Sequence, residues 1–195
     1  MKKYELLVDD TITFFGVQLF RIKALISFSG VEKGELGGYV ASESNLSQFG
    51  NAWVFGNAWV YGDARVYGDA RVSDNARVYG DARVSGDAEV YGDAWVFGDA
   101  EVYGDARVYG DAMVSGDAMV YGDADYIVFK NTWSSGRYFT YTKSNKMWRV
   151  GCFYGDGDRL IEKAYKDSKK SGDFYKAYVE FVEKLEEIEN IHKEQ

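Results

Sequence analysis

A period of six residues that runs through the middle of the chain restricts the fold more than any other feature. Valine recurs at every sixth position from Val54 to Val120, and alanine does the same from Ala52 to Ala124. An α-helix has 3.6 residues per turn, so apolar residues six apart would spread around its circumference instead of forming one face. The period therefore excludes a helix for this part of the chain.

Each six-residue unit combines a short strand with a corner. In "ARVY" the alanine and the valine are two residues apart, so they point to one side of a strand while the residue between them points to the other. The Gly-Asp or Gly-Asn pair that follows consists of residues that tolerate left-handed backbone at turns. One unit departs from this pattern, with Ser73-Asp74-Asn75 at its corner. We therefore expect valine and alanine inside and a turn in every unit.

Three such sides close a coil of eighteen residues. Stacked coils pair each strand in parallel with the strand eighteen residues away, which satisfies the backbone hydrogen bonds. The sequence therefore predicts a mainly β protein built on a solenoid of about four to five coils.

The eighteen-residue register sorts the outward residues into three columns. The first contains Trp53, Arg71, Glu89 and Arg107; the second contains Trp59, Arg77, Trp95 and Met113; the third contains Arg65, Arg83, Glu101 and Met119. In the second column a guanidinium lies between two indoles and can stack on both, which suits a planar anionic ligand such as a nucleotide. A cation-π ladder without a ligand, or a surface covered by another chain, is the alternative. The ligand-binding candidates are Trp59, Arg77 and Trp95, with Arg65, Arg83, Trp53 and Arg71.

The repeat V-x-G-[DN]-A-x resembles the hexapeptide repeat of left-handed parallel β-helix proteins over residues 37–125. Beyond the repeat, "FRIKAL", "GELGGYV", "NLSQFGNAWV" and "VGCF" resemble phrases in phage and prophage hexapeptide-repeat proteins that are often labelled transferases. The resemblance implies a left-handed solenoid, a homo-oligomer that is most often a trimer, and a phage origin.

The flanks of the repeat have the composition of caps for the open ends of a solenoid. Residues 1–36 contain two β-rich runs around Gly16 and predict an N-terminal β cap. Residues 126–195 predict three strands and two helices, the first from an N-cap at Asp158 to Lys166 and the second from about Asp173. The second helix carries an apolar stripe that either packs on the solenoid or joins subunits, formed by Phe174, Tyr178, Phe181, Leu185 and Ile188. Met113 and Met119, which point outward, predict that the last coils are covered by this region or by a neighbouring subunit.

The charge distribution argues against partners that carry phosphate backbones or anionic surfaces. The net charge is −8, and within residues 51–125 five arginines stand against twelve aspartates and two glutamates. Nucleic-acid binding needs clustered lysine and arginine, so we expect no direct nucleic-acid or membrane partner. No apolar run approaches the roughly 18 residues of a membrane span, and Cys152 is the single cysteine. These features favour a soluble cytoplasmic protein, in the host cytoplasm if it is phage-encoded.

The sequence offers few groups for catalysis. Hexapeptide acyltransferases, which the repeat resembles, use a histidine as general base, but the one histidine here is His192, near the C-terminus. Cys152 lies in the alternating run "MWRVGCF", where a buried thiol is expected and no histidine is near in sequence. No phosphate-binding loop, zinc spacing or serine elbow is found. We therefore expect no catalytic residue, no metal and no cofactor.

The corner aspartates form rows, for example Asp63, Asp81, Asp99 and Asp117 at eighteen-residue spacing. Turn chemistry explains an aspartate at each corner, while cation binding or mimicry of nucleic-acid charge are the functional alternatives.

Three hypotheses follow. The leading one is a non-enzymatic, oligomeric binding protein that antagonises host defence by sequestering a nucleotide-type signal. The second is an acyl or nucleotidyl transferase whose base is an aspartate with a raised pKa. The third is an acidic mimic that binds a host protein.

Overall fold

The computed structural model describes residues 1–134 and 136–193, apart from the side chains of Asp123 and Lys193. The chain begins with a hairpin of strands β1 (Tyr4–Phe14) and β2 (Val17–Ala24), which pair antiparallel. Its turn places Phe15 at a φ of 46° and Gly16 at 82°, so the two β-rich runs meet at Gly16 as predicted. A third strand, β3 (Leu36–Val40), pairs antiparallel with β2.

The repeat forms twelve strands of two residues each, numbered β4 to β15 in chain order. They are Trp53–Val54, Trp59–Val60, Arg65–Val66, Arg71–Val72, Arg77–Val78, Arg83–Val84, Glu89–Val90, Trp95–Val96, Glu101–Val102, Arg107–Val108, Met113–Val114 and Met119–Val120. In the described residues these strands pair in parallel, and each pair joins residues eighteen apart, for example Trp59 and Arg77. The prediction of a β-solenoid with eighteen-residue coils is confirmed.

The twelve strands form three faces. Face 1 contains β4, β7, β10 and β13; face 2 contains β5, β8, β11 and β14; face 3 contains β6, β9, β12 and β15. On face 2, β3 pairs in parallel with β5, so the N-terminal hairpin and four coils share one seven-stranded sheet. The interior is the predicted one, because every repeat valine and alanine from Ala52 to Val120 is at most 1% exposed.

Glycine at the corners is required by both backbone angle and space. The corner glycines from Gly50 to Gly116 have φ between 57° and 73°, and a Cβ on Gly80 would lie 3.0 Å from the nitrogen of Gly98 in the next coil. Asp74, in the departing unit, has a φ of 59°, and its Oδ2 accepts a hydrogen bond from the Gly92 N–H at 3.0 Å. Aspartate can therefore replace glycine at a corner because its side chain bonds to the coil above.

The corner geometry makes a testable prediction about Gly80. We expect Gly80→Ala to lower the free energy of unfolding by more than about 1 to 2 kcal/mol, the usual cost of a left-handed non-glycine residue, because crowding adds to strain. The control is Gly110→Ala, where φ is 65° and no atom lies within 4 Å of the added Cβ. Gly80→Asp should cost less than Gly80→Ala. Urea unfolding measures all three, and equal stability of the two alanine variants would contradict the crowding argument.

The N-terminal end of the solenoid is closed by side chains that donate to exposed carbonyls. Lys3 Nζ donates to the carbonyl oxygen of Ala52 at 2.8 Å, and Asn45 Nδ2 donates to the carbonyls of Gly62 and Ala64 at 2.9 Å each. Both residues are at most 2% exposed. Other carbonyls of this coil accept hydrogen bonds from backbone N–H groups of β3 and of the segment after it. For example, the N–H of Tyr39 donates to the carbonyl oxygen of Ala58. These donors replace the hydrogen bonds that a preceding coil would supply.

Trp53 is not exposed to solvent, so the prediction that it presents its ring outward for a ligand was wrong about its exposure. Its side chain is fully buried, with the rings of Tyr4 and Phe28 edge-on at 6.1 Å and 5.4 Å. The N-terminal cap therefore covers the outward position of the first complete coil on face 1.

The C-terminal region contains a four-stranded antiparallel sheet and two helices. The strands are β16 (Tyr126–Lys130), β17 (Tyr138–Thr142), β18 (Met147–Val150) and β19 (Phe153–Gly155). The helices are α1 (Gly157–Asp167) and α2 (Lys169–Lys193). The predicted strand "MWRVGCFY" is two strands, because Gly151 turns the chain with a φ of 57°. Cys152 follows it in the turn and is exposed, so the prediction of a buried thiol was wrong.

The helix boundaries differ from those predicted. Asp156, not Asp158, is the N-cap of α1, and its Oδ1 accepts from the N–H of Arg159 at 2.9 Å. Helix α2 begins four residues before Asp173, where Ser168 Oγ accepts from the N–H of Ser171. Its buried face carries Val179 and Val182, whereas Phe181 and Ile188 of the predicted stripe are 51% and 42% exposed. Among the described residues, the buried side chains of this helix join the cluster of the C-terminal sheet around Phe139 and Trp148, and not the core of the solenoid.

The C-terminal sheet covers the last coil with hydrogen-bond acceptors. The N–H of Met113 donates to Thr140 Oγ1 at 2.9 Å, and the N–H of Met119 donates to Ser144 Oγ at 2.8 Å. Asp125 Oδ2 accepts from the N–H groups of Tyr121 and Gly122. Met113 is thereby half-buried, while Met119 remains 48% exposed.

Candidate functional site

Face 2 carries the stacked tryptophan and arginine side chains that the register predicts. The guanidinium carbon of Arg77 lies 4.4 Å from the ring centroid of Trp59 and 5.0 Å from that of Trp95. Phe14, at the end of β1, adds a third ring at 5.1 Å. All three repeat side chains are half-buried. Packing by rings on both sides holds the guanidinium of Arg77 in one place.

A second row of rings runs beside this column, at the residue after each valine of face 2. Tyr61 and Tyr79 stack at 5.0 Å, and Tyr79 and Phe97 stack at 4.8 Å with planes 1° apart. Arg149 of β18 lies 4.9 Å from the ring of Phe97. Burial raises the pKa of Tyr79 to about 12, so its phenol is neutral at physiological pH. The ring row gives one side of face 2 a continuous aromatic surface.

A cleft of about 400 Å³ lies between face 2 and the C-terminal sheet. Face 2 and its corner supply six of the lining residues and the C-terminal region supplies three: Asn75, Arg77, Asp93, Trp95, Asp111, Met113, Arg137, Tyr138 and Gly151. The cleft therefore combines an indole, a phenol, guanidinium groups and carboxylates in one space.

The charges around this cleft are mixed. Arg77 and Arg137 contribute two cations, and Asp93 and Asp111 contribute two carboxylates. Lys130 lies at the rim, with Nζ 5.0 Å from the ring of Tyr138. Hydrogen bonding of the Lys130 ammonium to the Tyr138 oxygen and, more weakly, the charge of Asp111 raise the pKa of Lys130, so this ammonium is charged at neutral pH. The balance of these five groups is one positive charge, which suits an anion that also carries hydrogen-bond donors.

The seven predicted ligand-binding residues do not form one site. Trp59, Arg77 and Trp95 lie together on face 2, whereas Arg71 lies on face 1 with the buried Trp53, and Arg65 and Arg83 lie on face 3. The sequence could have supplied Asp93 and Asp111, which follow Asn75 at eighteen-residue spacing along a corner. It contains no comparable signal for Arg137 and Tyr138, which lie outside the repeat.

The residues considered for catalysis are dispersed. His192 is exposed in the last turn of α2, and Cys152 is exposed in the turn after β18. Asn145 and Tyr154 donate to Asp117 Oδ1, and these hydrogen bonds lower the pKa of that carboxyl, which is opposite to what a general base needs. Among residues 1–134 and 136–193, no group of three or more His, Cys, Asp or Glu is arranged to hold a metal.

The repeat has a recognisable relative among protein families. A family model described as the YdcK beta solenoid repeat matches residues 58–73, 64–80, 70–86, 76–92 and 100–115. The chain is a β-helix repeat protein. These matches include Trp59 and Arg77 but neither Trp95 nor any residue of the C-terminal sheet, so they cover only part of the cleft lining. None of the curated proteins compared with the chain matches it. In the part of the chain that the structure describes, no helix is both long and apolar enough to cross a membrane.

Proposed function

We propose that this β-solenoid is a non-enzymatic binding protein that holds a small, planar, anionic ligand of the nucleotide type. The observation that carries the proposal is the place of Arg77, packed between Trp59 and Trp95 at the floor of a cleft whose other wall carries Arg137 and Tyr138. Ligand sites of this kind are concave and combine apolar walls with a few polar groups that orient the ligand.

The cleft divides the recognition of such a ligand among its walls. The rings of Trp95 and Tyr138 offer surfaces on which a base can stack, a contact worth about 1–3 kcal/mol per base. Arg137 and the rim Lys130 supply charge for a phosphate, and arginine can bind its oxygens in pairs. Asp93 and Asp111 can accept hydrogen bonds from amino groups on the base. We expect high affinity to need both the stacking of the base and the ion pair with the phosphate, because water competes with either contact when it is made alone.

The biological form of the proposal rests on the family resemblance. In this form, the protein is a phage-encoded homotrimer in the host cytoplasm, and it sequesters a nucleotide signal of host defence. The exposed aromatic side chains of the solenoid are consistent with contact between subunits, since aromatic residues are enriched at interfaces. Native mass spectrometry of protein purified from host lysate reports the number of subunits and any retained small molecule in one measurement.

The test is calorimetric titration with a panel of nucleoside mono-, di- and cyclic phosphates. We expect one of them to bind, and we expect Arg137→Gln to weaken that binding at least about tenfold, equal to about 1.4 kcal/mol. Arg77→Gln should weaken it too, because a neutral amide removes the cation-π contacts that order Trp95. Arg71→Gln is the matched control, since Arg71 lies on face 1, away from the cleft.

Two results would overturn this function. One is that no nucleotide binds the wild-type protein. The other is that Arg137→Gln and Arg77→Gln both bind as tightly as wild type. Because Arg137 is exposed and takes no part in the stacked column, its substitution tests the cleft without disturbing the solenoid.

A further inference from the structure

Face 3 places two like charges side by side. Arg65 of β6 and Arg83 of β9 are register partners in a parallel pair, as are Val66 and Val84 behind them. Both arginines are exposed. Neighbouring strands lie about 4.8 Å apart, and like charges directly opposite each other destabilise a sheet. Glu101 forms an ion pair with Arg83 on its other side, so Arg65 is the member of this pair whose charge is left uncompensated.

Arg65 differs from every other arginine of the repeat in its neighbours. Along the columns, Arg77 lies between tryptophans, and Arg71, Arg83 and Arg107 each have a glutamate as register partner. Arg83 Nη1 donates to Glu101 Oε1 at 2.5 Å. On its other side Arg65 meets the segment around Leu46, which bridges to Val66. Within the described residues, Arg65 has no ion pair.

Hydroxyl groups complete the surroundings of Arg65. A cavity of about 330 Å³ is lined by Ser44, Ser47, Arg65, Val66, Tyr67 and Arg83. Ser47 Oγ accepts a hydrogen bond from the N–H of Phe49 at 3.0 Å, which leaves its hydroxyl hydrogen free to donate. Ser42 Oγ donates to Asn45 Oδ1 at 3.2 Å, so the Ser44 hydroxyl, 2.7 Å from Ser42 Oγ, donates to Ser42. The cavity thus offers the guanidinium of Arg65, that of Arg83, which also binds Glu101, and the Ser47 hydroxyl as donors, and the residues that line it include no carboxylate.

We propose that this cavity, which we call the face 3 cavity, binds a phosphoryl group. A phosphate dianion between Arg65 and Arg83 compensates the charge of Arg65, accepts hydrogen bonds from the paired N–H groups that a guanidinium presents, and accepts another from the Ser47 hydroxyl. Tyr67, 41% exposed, forms an apolar wall beside it, which suits a phosphorylated ligand with a ring or carbon chain attached. This site is independent of the cleft on face 2.

The experiment uses inorganic phosphate and the full chain. Phosphate binding to the folded state raises the melting temperature. We therefore expect a larger rise in wild type with phosphate than with chloride at equal ionic strength, and at least tenfold weaker phosphate binding by calorimetry in Arg65→Gln and Ser47→Ala combined. Arg71→Gln is the matched control, since it removes one repeat arginine that has Glu89 as its register partner; it should bind phosphate as wild type does.

A charge reversal gives an independent readout. Arg65→Glu places a carboxylate opposite Arg83, so we expect its melting temperature without phosphate to exceed that of wild type and its response to phosphate to vanish. A wild-type response no greater than that with chloride would overturn the proposal. So would a response that persists in Arg65→Gln but is lost in Arg137→Gln, because that result assigns phosphate to the cleft on face 2. Conversely, failure of nucleotide binding at the cleft leaves the face 3 cavity intact.

Discussion

Replacing Asn45 with aspartate is expected to lower the free energy of unfolding by about 3–5 kcal/mol, the usual cost of leaving a buried charge uncompensated. Asn45 is fully buried, and its Nδ2 donates to two carbonyl oxygens at 2.9 Å. Aspartate would place a carboxylate oxygen against those carbonyls, and all of these atoms are acceptors. The carbonyls of Gly62 and Ala64 would then lose their hydrogen-bond donor and be repelled by the new carboxylate.

The matched control for this variant is Asn57→Asp. Asn57 is an exposed corner residue at a position where most other units already carry aspartate. Its substitution should leave the urea midpoint almost unchanged, while Asn45→Asp should lower it markedly. Equal effects of the two variants would show that the Asn45 amide does not hold the N-terminal end of the solenoid.

The second large effect expected is a rise of stability with pH that depends on one lysine. Burial of Lys3 lowers the pKa of its ammonium from 10.5 to about 8. Between these two values the unfolded chain binds a proton at Lys3 that the folded chain has released, so the free energy of unfolding increases as the pH rises from about 8. The full increase is on the order of 3 kcal/mol, at 1.36 kcal/mol per pKa unit.

Tyrosines reverse this trend in more alkaline solution. Burial raises the pKa values of Tyr4 and Tyr79 above 10, so their phenols ionise in the unfolded chain before they ionise in the folded one, and stability falls above pH 10. We therefore expect greatest stability between about pH 9 and 10, measured by urea unfolding across the range. In Lys3→Met we expect the free energy of unfolding still to fall above pH 10, but not to rise between pH 8 and 10. A Lys3→Met profile that still rises from pH 8 would assign the effect to another group.

The columns of the solenoid could be predicted because they depend on local periodicity alone. The positions of Trp59, Arg77 and Trp95 follow from a unit of six and a coil of eighteen, and the structure places them accordingly. Parallel pairing leaves no freedom of register once valine and alanine must both be inside. The same reasoning placed the acidic corners and the change of structure after residue 125.

Contacts between distant parts of the chain account for the errors. Trp53 occupies an outward position by its period, but Tyr4 and Phe28 cover it from nearly fifty and twenty-five residues away. Cys152 follows an alternating run, yet a left-handed Gly151 ends that run one residue too early for it to be buried. The cleft could be only half predicted for the same reason, since Arg137 and Tyr138 reach face 2 through the packing of the C-terminal sheet.

The closure of both ends by side chains has a consequence for how such a molecule can change in length. Among the described residues, Lys3 and Asn45 donate to carbonyls of the first coil, and Thr140 and Ser144 accept from N–H groups of the last, so these capping contacts do not depend on how many coils lie between. Duplication of eighteen residues would lengthen the prism by about 4.8 Å and leave every capping contact in place. It would also add one residue to the outward column that contains Arg77. If the added coil followed this residue, Phe14 would lie one coil farther from the C-terminal sheet. The length of the solenoid can therefore change in steps of one coil while the contacts that close its two ends stay the same.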